Sequence, residues 1–436
     1  MRVGENLPQN LQKNPPETVR RRSLQLLGIL CGFTAGAWLG AAEAPTKLVS
    51  IGISPIVISL IMVVGVFLAR WSLPALVLGT SAVRADVQRA PHLIIWALLA
   101  GGLWAVANTL TIFAIRDIGL SIAFPLWNSN SLLGIFWGFL FFNELHQAGW
   151  RRWAGVLGGA VVMFAGAAIL AIASAGQFAP GHSLGGVSAA LGAGVLWGTM
   201  YIPYRKAYLT GMNPLSFVTF FTFGELGMMG ALAFTYVGYA PLWHQLATAR
   251  NVAFWLMLGG FIWVIGDLFQ QYAAKYIGIS RGIPLSNTNQ LWGLLWGILV
   301  FGELHGKRQS TYAEVIGGSL LMMLGVAAIS FSSAGREEQK HWKEAAQRES
   351  DRYRVAPEFV AARFDGRQAM GEAIPKRRAI DWLLVAIASG ILVGFGVIAH
   401  IPQFSFRWGP ALALTIVSLF LLLFCGRELW RTTGFH

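Results

Sequence analysis

Long apolar runs constrain this chain more than any other feature of its sequence. A helix needs about 20 apolar residues to cross a hydrocarbon core of roughly 30 Å. Runs of that length occur twelve times in the 436 residues. Only 12% of the residues are charged, whereas soluble domains carry about 25%. We therefore expect an all-α integral membrane protein, and we exclude a soluble enzyme, a secreted disulfide scaffold and a disordered chain.

The predicted spans form two groups of five, followed by a pair near the C-terminus. The first group comprises Leu24–Ala42, Ile51–Ala69, Ile94–Ala114, Ile118–Phe142 and Trp153–Ala173. The second group comprises Val187–Pro203, Phe217–Val237, Val252–Tyr272, Ile277–Phe301 and Val315–Ser332. The pair comprises Trp382–Ala399 and Ala411–Cys425. The resulting units are a tail (1–22), a first five-helix unit (23–173), a second (184–333), a polar segment (334–379) and two appended helices (380–428).

The distribution of basic residues predicts the orientation of these spans. If the N-terminus is inside, the inside segments hold 26 Lys and Arg residues and the outside loops hold six. The positive-inside rule then puts both termini in the cytoplasm, in a multi-pass protein of the cytoplasmic membrane. The same distribution accounts for the net charge of +13, so we expect the lipid bilayer and no nucleic acid as a partner.

The two groups of five spans are related by an internal repeat. Leu99–His146 aligns without a gap to Leu258–His305 at an offset of 159 residues, and 20 of the 48 pairs are identical. Shared apolar composition does not explain matches such as Asn128 with Asn287. Because five is an odd number, the second repeat enters the membrane from the opposite side. Inverted repeats are typical of secondary transporters, which bind substrate near the midplane at the repeat interface.

The repeated motifs resemble a known superfamily. Each repeat ends its fourth helix with a glutamate, in FFNELH and FGELHG, and has a glycine-rich fifth helix. This pattern resembles the drug/metabolite transporter superfamily. Within it, PLWNSNSLLGIFWG, PLSNTNQLWGLLWG and GAAEAPTK resemble the glucose/ribose porter branch, which includes bacterial glucose and rhamnose uptake proteins. The resemblance covers about Leu24–Ser332 and implies a ten-helix core with a carbohydrate substrate. The polar segment and the last two helices have no place in that pattern.

Amide and aromatic side chains in the fourth and ninth spans are the candidate substrate ligands. Amides donate and accept hydrogen bonds in fixed directions, which suits sugar hydroxyls, and aromatic faces suit the C–H side of a sugar ring. The candidates are Trp127, Asn128, Ser131, Asn287, Gln290 and Trp292. Pro125 and Pro284 precede them and free backbone carbonyls. The alternative is that these amides only hydrogen-bond neighbouring helices.

Two further pairs are predicted to be structural. Asn130 and Asn289 each share a helix face with glycines four and eight residues later, a spacing that lets helices approach closely. On a continuous helix they point away from the substrate candidates, so we expect them to pack helices together.

Glu144 and Glu303 each end a helix, where a carboxylate opposes the helix dipole and needs a cation. Arg151–Arg152 and Lys307–Arg308 are the nearby basic pairs. Lys47 and Arg205 are either helix ends that reach the interface or gates that pair with loop acids.

Two carboxylates inside predicted spans are candidates for proton coupling. An ionisable residue in the membrane is a functional hypothesis by default, and a carboxyl group in a low-dielectric medium takes up a proton more readily. Asp267 is favoured over Glu225 because its repeat counterpart is the polar Asn108. The alternative is a buried pair of Asp267 with Lys275 or Arg281.

The motifs of nucleotide-binding proteins and zinc peptidases are missing from the sequence. We find no P-loop or H-E-x-x-H motif, and no Cys/His cluster for a metal, so we expect neither an enzyme nor a cofactor. The sequence predicts a secondary transporter for a small neutral metabolite, a sugar in the first place, with proton coupling as an added hypothesis. The alternatives are an exporter of amino acids or other metabolites and a non-transporting sensor or scaffold. The oligomeric state stays open.

Overall fold

A computed structural model describes most of the chain, and the part that it describes is helical. The described residues are 17–47, 52–118, 123, 126–145, 149–174, 183–302, 306, 308–332, 336–367, 377–400 and 406–435. Within these ranges there is no β-strand. Of the predicted structural residues, Pro125 and Glu303 lie outside the described ranges.

The helices follow the predicted order of a first unit, a second unit and an appended part. The first unit contains α1 (Glu17–Lys47), α2 (Pro55–Val77), α3 (Thr80–Arg89), α4 (Leu93–Ile118), α5 (Asn130–Phe142) and α6 (Trp150–Ser174). The second contains α7 (Ser183–Leu209), α8 (Pro214–Leu232), α9 (Tyr239–Ala249), α10 (Ala253–Ile277), α11 (Ile279–Ser286), α12 (Asn289–Leu295) and α13 (Gln309–Phe331). The appended part contains α14 (Arg336–Tyr353), α15 (Pro357–Phe364), α16 (Ala379–Ile398) and α17 (Trp408–Thr433).

Among the described residues, ten helices are long and apolar enough to cross a membrane. They are α1, α2, α4, α6, α7, α8, α10, α13, α16 and α17. The prediction of a multi-pass all-α membrane protein is therefore confirmed. The fourth and ninth predicted spans, however, are not continuous helices. The described helix of the fourth span, α5, has 13 residues, and the ninth span is divided into α11 and α12.

The break between α11 and α12 has a local cause. Pro284 lies in the last turn of α11, where its missing N–H removes one helical hydrogen bond. The hydroxyl of Ser286 donates to the Ile283 carbonyl (2.7 Å), and that of Thr288 donates to the Leu285 carbonyl (2.9 Å). Short polar side chains that bond the backbone in this way compete with helix propagation. Apolar composition does not reveal such a break, so the prediction of an unbroken ninth span was wrong.

Glycines bring α2 and α10 into backbone contact. A Cβ atom added at Gly65 would overlap the carbonyl oxygen of Met257, and one added at Gly260 would overlap that of Met62. The backbone of the facing helix therefore packs directly against each glycine, and any side chain at these positions would push the two helices apart. This close approach is the small-residue packing typical of membrane helices.

The same arrangement joins α4 and α8. A Cβ atom at Gly101 would overlap the carbonyl oxygen of Phe221, and one at Gly224 would overlap that of Leu98. Each of these four residues lies 159 positions from one of the four in the α2–α10 contact, which is the offset of the sequence repeat. Residues related by the repeat thus make equivalent contacts at two places where the first and second units meet.

The appended helices pack against the core. The α16 helix lies against α2 and α10, and α17 lies against α1. Cys31 and Cys425, far apart in sequence, meet there with their sulfur atoms 3.6 Å apart and without a disulfide. The α14 helix is not simply solvated, as its mixed charges suggest, because it buries Trp342 against the guanidinium of Arg205 at 4.8 Å.

Candidate functional site

A cavity of about 40 Å³ lies where the broken spans of the two halves meet. It is lined by amide and aromatic side chains, with two aliphatic residues and no charged group among the described residues. The lining residues are Leu39, Trp127, Asn128, Asn130, Trp197, Met200, Tyr201, Trp263, Gln270, Asn287 and Asn289. Residues from both halves of the sequence repeat therefore line the cavity.

Asn287 connects the two halves at this cavity. Its side-chain nitrogen donates to the Ser131 hydroxyl (2.5 Å) and to the side-chain oxygen of Asn130 (2.9 Å). On the other wall, the side-chain nitrogen of Gln270 donates to the Ser286 hydroxyl (2.5 Å). The hydrogen bonds of Asn287 therefore join the segment between α11 and α12 to the first turn of α5.

Three polar atoms at the cavity are buried without a hydrogen-bond partner among the described residues. They are the side-chain nitrogen of Asn128, the indole nitrogen of Trp197 and the side-chain oxygen of Asn289. Each such atom costs about 1–3 kcal/mol unless something bonds to it. Two donors and one acceptor suit a ligand whose hydroxyl groups both accept and donate. The three atoms are therefore the candidate hydrogen-bonding groups for a ligand in the cavity.

Three of the six predicted substrate residues line this cavity, and two more line a space beside it. Trp127, Asn128 and Asn287 line the cavity, whereas Ser131 and Gln290 line an adjoining space of about 10 Å³ that also contacts Asn128.

Trp292 lies elsewhere. Its ring packs edge-on against Phe33 at 6.1 Å, and it is not among the described residues of either lining.

Asn130 and Asn289, predicted to be packing residues, also line the cavity. The prediction assumed a continuous helix, on which residues two apart point about 200° from each other. The structure breaks both spans just before these residues, so Asn128 and Asn130 face the same space. A Cβ atom at Gly198 would contact the backbone oxygen of Asn130 at 3.3 Å, so α7 also passes close to this residue. The packing role of the two side chains stays a prediction.

The volume of the cavity limits what it holds in this conformation. A buried water molecule needs at least about 10–15 Å³ on this measure, so 40 Å³ accommodates roughly three waters. A sugar ring needs more room, and its binding therefore requires the walls to separate.

A buried cluster of charges lies beside the cavity. Arg70 on α2 donates to the Asp267 carboxylate on α10 at 2.9 Å and lies 3.5 Å from the Glu225 carboxylate on α8. None of the three side chains is exposed. The two proton-coupling candidates therefore share one cation. The alternative for Asp267 was a buried pair with Lys275 or Arg281, and the described partner of its carboxylate is Arg70.

Aromatic residues separate this cluster from the cavity. Trp263 lines the cavity and also lies 5.5 Å from the guanidinium of Arg70. Tyr201 lines the cavity and packs edge-on against Tyr204 at 5.9 Å. The hydroxyl of Tyr204 in turn donates to Asp267 at 3.3 Å. The charged cluster therefore contacts Trp263 of the cavity wall directly, and it contacts Tyr201 of the wall through one side chain, Tyr204.

Glu144 forms the predicted clamp, but with a different partner. Its carboxylate accepts from the backbone nitrogens of Ile279 (3.1 Å) and Ser280 (2.9 Å) at the start of α11. It also lies 3.1 Å from the Arg205 guanidinium. The expected basic pairs are therefore wrong for Glu144. Of the two interpretations of Arg205, the one as a gate that pairs with a loop acid agrees with this contact, because its side chain is buried.

Sequence reasoning missed Arg70, Tyr201 and Gln270. The predicted second span ended at Ala69, so Arg70 was counted with a loop, whereas α2 continues to Val77. Extending the apolar run through Trp71 to Val77 reveals a charge inside the membrane. Tyr201 and Gln270 carry no such signal, because polar residues on helices that face a cavity look like those that face a neighbouring helix.

The comparison with known proteins points to sugar uptake. The model of the family described as "Sugar transport protein" matches residues 191–351, which is less than half of the chain. A "putative sugar uptake protein" of Lactobacillus johnsonii is 32% identical over 114 residues, which cover 26% of this chain and 39% of that protein. This chain is similar to sugar uptake proteins.

Two relatives match over a longer stretch. A "probable glucose uptake protein GlcU" of Staphylococcus aureus is 24% identical over 237 residues, or 51% of this chain and 73% of that protein. A sugar uptake protein of Lactiplantibacillus plantarum, named in the same way as that of L. johnsonii, is 26% identical over 259 residues, or 55% of this chain and 80% of that protein. The likeness therefore covers about half of the chain.

Proposed function

We propose that this chain is a secondary transporter that moves a small neutral sugar across the cytoplasmic membrane by alternating access. In this proposal its core consists of two inverted five-helix repeats of the drug/metabolite transporter type. The sequence repeat and the two equivalent glycine contacts between the halves support the arrangement. The match to the sugar transport family supports the substrate class.

The observation that carries the proposal is the set of unpartnered polar atoms at the cavity. These atoms are buried and have no hydrogen-bond partner among the described residues: the side-chain nitrogen of Asn128, the indole nitrogen of Trp197 and the side-chain oxygen of Asn289. Sugar hydroxyls supply both donors and acceptors, and the faces of Trp127 and Trp263 suit the C–H side of the ring. The uncharged lining favours a neutral substrate over an amino acid, whose two charges would have to be desolvated.

Alternating access requires that one end of the cavity closes while the other opens. The Glu144–Arg205 pair supports closure on the side that the loop charges predict to be cytoplasmic. Glu144 ties α5 of the first half to α7 and α11 of the second. In the repeat, Glu303 and Lys47 occupy the corresponding sequence positions.

Proton coupling is the second part of the proposal. One guanidinium faces two carboxylates, so the cluster carries a net charge of −1 when both are ionised, and one proton makes it neutral. Asp267 receives hydrogen bonds from Arg70, Gln271 and Tyr204. Glu225 lies farther from Arg70. We therefore assign the transported proton to Glu225 and the role of fixed counter-ion to Asp267, which reverses the ranking made from the sequence.

The two halves differ at this point, which supports a single coupling site. The repeat counterpart of Asp267 is Asn108, which donates to the hydroxyl of Ser59 at 2.7 Å. The counterpart of Arg70 is Met229, whose sulfur lies near Ser59 and Thr109. The place related to the charged cluster by the repeat, around Asn108 and Met229, is therefore uncharged.

The test is uptake of a panel of radiolabelled neutral sugars into proteoliposomes, with and without a pH gradient that is acid outside. We expect one sugar to accumulate, and we expect Asn287→Ala to abolish its uptake, because Asn287 joins the two halves at the cavity. Asn251→Ala, in the loop before α10, is the matched control and should retain uptake. Folding of each variant is checked by its elution profile in detergent.

Two outcomes would overturn parts of the proposal. If the folded protein moves none of the sugars, the carbohydrate assignment fails. If a sugar is taken up equally with and without the gradient, and Glu225→Gln leaves uptake unchanged, the protein is a uniporter and the assignment of the proton to Glu225 fails.

A further inference from the structure

A second and larger space lies away from the substrate cavity. It measures about 350 Å³ and lies between the ends of α2 and α8, the helix α3 and the start of α16. The α2 helix ends at Val77 and α16 begins at Ala379, so this groove lies at the level where helices leave the membrane. The loop charges predict that this side faces the cytoplasm.

The groove offers positive charge and hydrogen-bond donors. Its charged lining residues are Arg84 on α3 and Arg378 just before α16, and no described lining residue is acidic. Trp71 also lines it, and the indole nitrogen of this residue is buried without a partner among the described residues. Two guanidinium groups and a free indole N–H attract an anion, and arginine matches the geometry of phosphate oxygens.

The rest of the lining is apolar. Trp71, Pro74 and Phe220 form one wall of the groove, and Val83 and Val87 of α3 form another. An ion dissolved in water gains nothing from such walls. A phospholipid presents its phosphate directly beside its acyl chains, as this groove presents arginines beside apolar side chains.

A buried carboxylate holds the two arginine-bearing segments together. Asp381 accepts from the backbone nitrogen of Thr80 at 2.7 Å and from that of Arg378 at 2.6 Å. Both of its oxygens are thus bound to backbone amides at the first turns of α3 and α16. Arg84 and Arg378 are brought to the same groove by this bridge.

We propose that this groove binds an anionic phospholipid, with its phosphate on Arg84 and Arg378 and its acyl chains along Trp71 and Phe220. The proposal gives the appended part of the chain a role, because α16 completes a lipid site on the transport core. It does not depend on which substrate the protein moves. Attraction of anionic lipid by clustered basic residues near a membrane helix follows from general electrostatics.

The test is the thermal stability of the purified full-length protein in detergent with added lipid. The probes are phosphatidylglycerol, phosphatidylcholine and inorganic phosphate. We expect phosphatidylglycerol to raise the melting temperature more than phosphatidylcholine does, and we expect Arg84→Gln/Arg378→Gln to lose most of this difference. Arg22→Gln/Arg427→Gln also removes two exposed arginines near helix ends of the same side and should keep the full effect.

Three results would overturn the proposal. One is an equal response of wild type and of the Arg84/Arg378 variant to phosphatidylglycerol. Another is an equal response to the anionic and the zwitterionic lipid. A third is a matching shift with inorganic phosphate alone, which would indicate a site for a free anion. If the double variant does not fold, the single variant Arg84→Gln and counting of bound lipid by native mass spectrometry answer the same question.

Discussion

The Arg205 guanidinium lies 3.1 Å from the Glu144 carboxylate, and neither side chain is more than 1% exposed. Glu144 follows α5 in the first half of the core, whereas Arg205 belongs to α7 in the second. The indole of Trp342, on the appended helix α14, covers the same guanidinium at 4.8 Å. One ion pair therefore joins the two halves and contacts the part of the chain that lies outside the repeats.

The first prediction concerns this ion pair. Glu144→Gln removes the charge but keeps the shape, so the buried Arg205 guanidinium loses the carboxylate that lies 3.1 Å away. Breaking a buried pair in this way costs about 3–5 kcal/mol. We expect a clear fall in the melting temperature in detergent. Glu314→Gln, on the exposed face of α13, removes the same charge and should have little effect. Equal melting temperatures for the two variants would contradict a structural role of the pair.

The second prediction separates the two tryptophans that flank the broken spans. Trp197→Phe keeps an aromatic ring at the cavity and removes the unpartnered indole N–H. Loss of one hydrogen bond to substrate weakens affinity by about 1 kcal/mol, so we expect KM for sugar uptake to rise roughly fivefold. Trp292→Phe is the control, because that ring packs on Phe33 away from the cavity. A larger effect of Trp292→Phe on KM would show that the substrate binds elsewhere.

The third prediction concerns the charged cluster. Glu225→Gln mimics the protonated carboxyl, so we expect the variant to exchange sugar across the membrane but to lose accumulation driven by a pH gradient. Asp267→Asn instead removes the closest counter-ion of Arg70, so we expect loss of both exchange and stability. Uptake by Glu225→Gln that still follows the gradient would assign the proton to another group.

The apolar runs predicted twelve spans, and ten of these are long helices in the predicted order, because crossing a membrane sets both length and composition. They did not predict the break between Pro284 and Asn289. The break there is favoured by the hydroxyls of Ser286 and Thr288, which donate to backbone carbonyls. The apolar composition of the sequence does not change at such a break, so it does not reveal the break.

The candidate site was predictable to the extent that its chemistry lies in the repeat. Asn128 and Asn287 match across the repeat and meet at the cavity. The partners of Asp267 and Glu144 were not predictable in the same way. Arg70 and Arg205 come from helices distant in sequence. The position of a charged residue within a span does not predict which other helix packs against it.

A fourth prediction follows from the helix contacts. Gly101→Ala puts a methyl group against the carbonyl oxygen of Phe221, so α4 and α8 must separate. We expect the variant to be poorly folded, judged by aggregation in detergent. Gly102→Ala is the adjacent control, since its methyl group would lie 3.6 Å from the flexible end of Met228. A helix gains about 1 kcal/mol from such a change, and the control should be folded. Equal behaviour of the two variants would contradict the close approach of these helices.

The last prediction is a pH dependence at the contact between the core and α14. His92, just before α4, stacks on Tyr353 of α14 at 3.7 Å, near Lys206 and Glu349. Burial lowers the pKa of His92 below its ordinary value, and Lys206 lowers it further, while Glu349 acts in the opposite direction.

Because folding lowers the pKa of His92, its contribution to stability is complete above a pH of about 6.5, the pKa of an unperturbed histidine. It is lost as the pH falls from there through the lowered pKa of the folded state. We expect the melting temperature of wild type to fall on acidification in this range, and that of His92→Gln to fall less. The variant His244→Gln, on α9, is the control and should follow wild type. If His92→Gln also follows wild type, the acid sensitivity comes from another group and His92 does not govern the docking of α14.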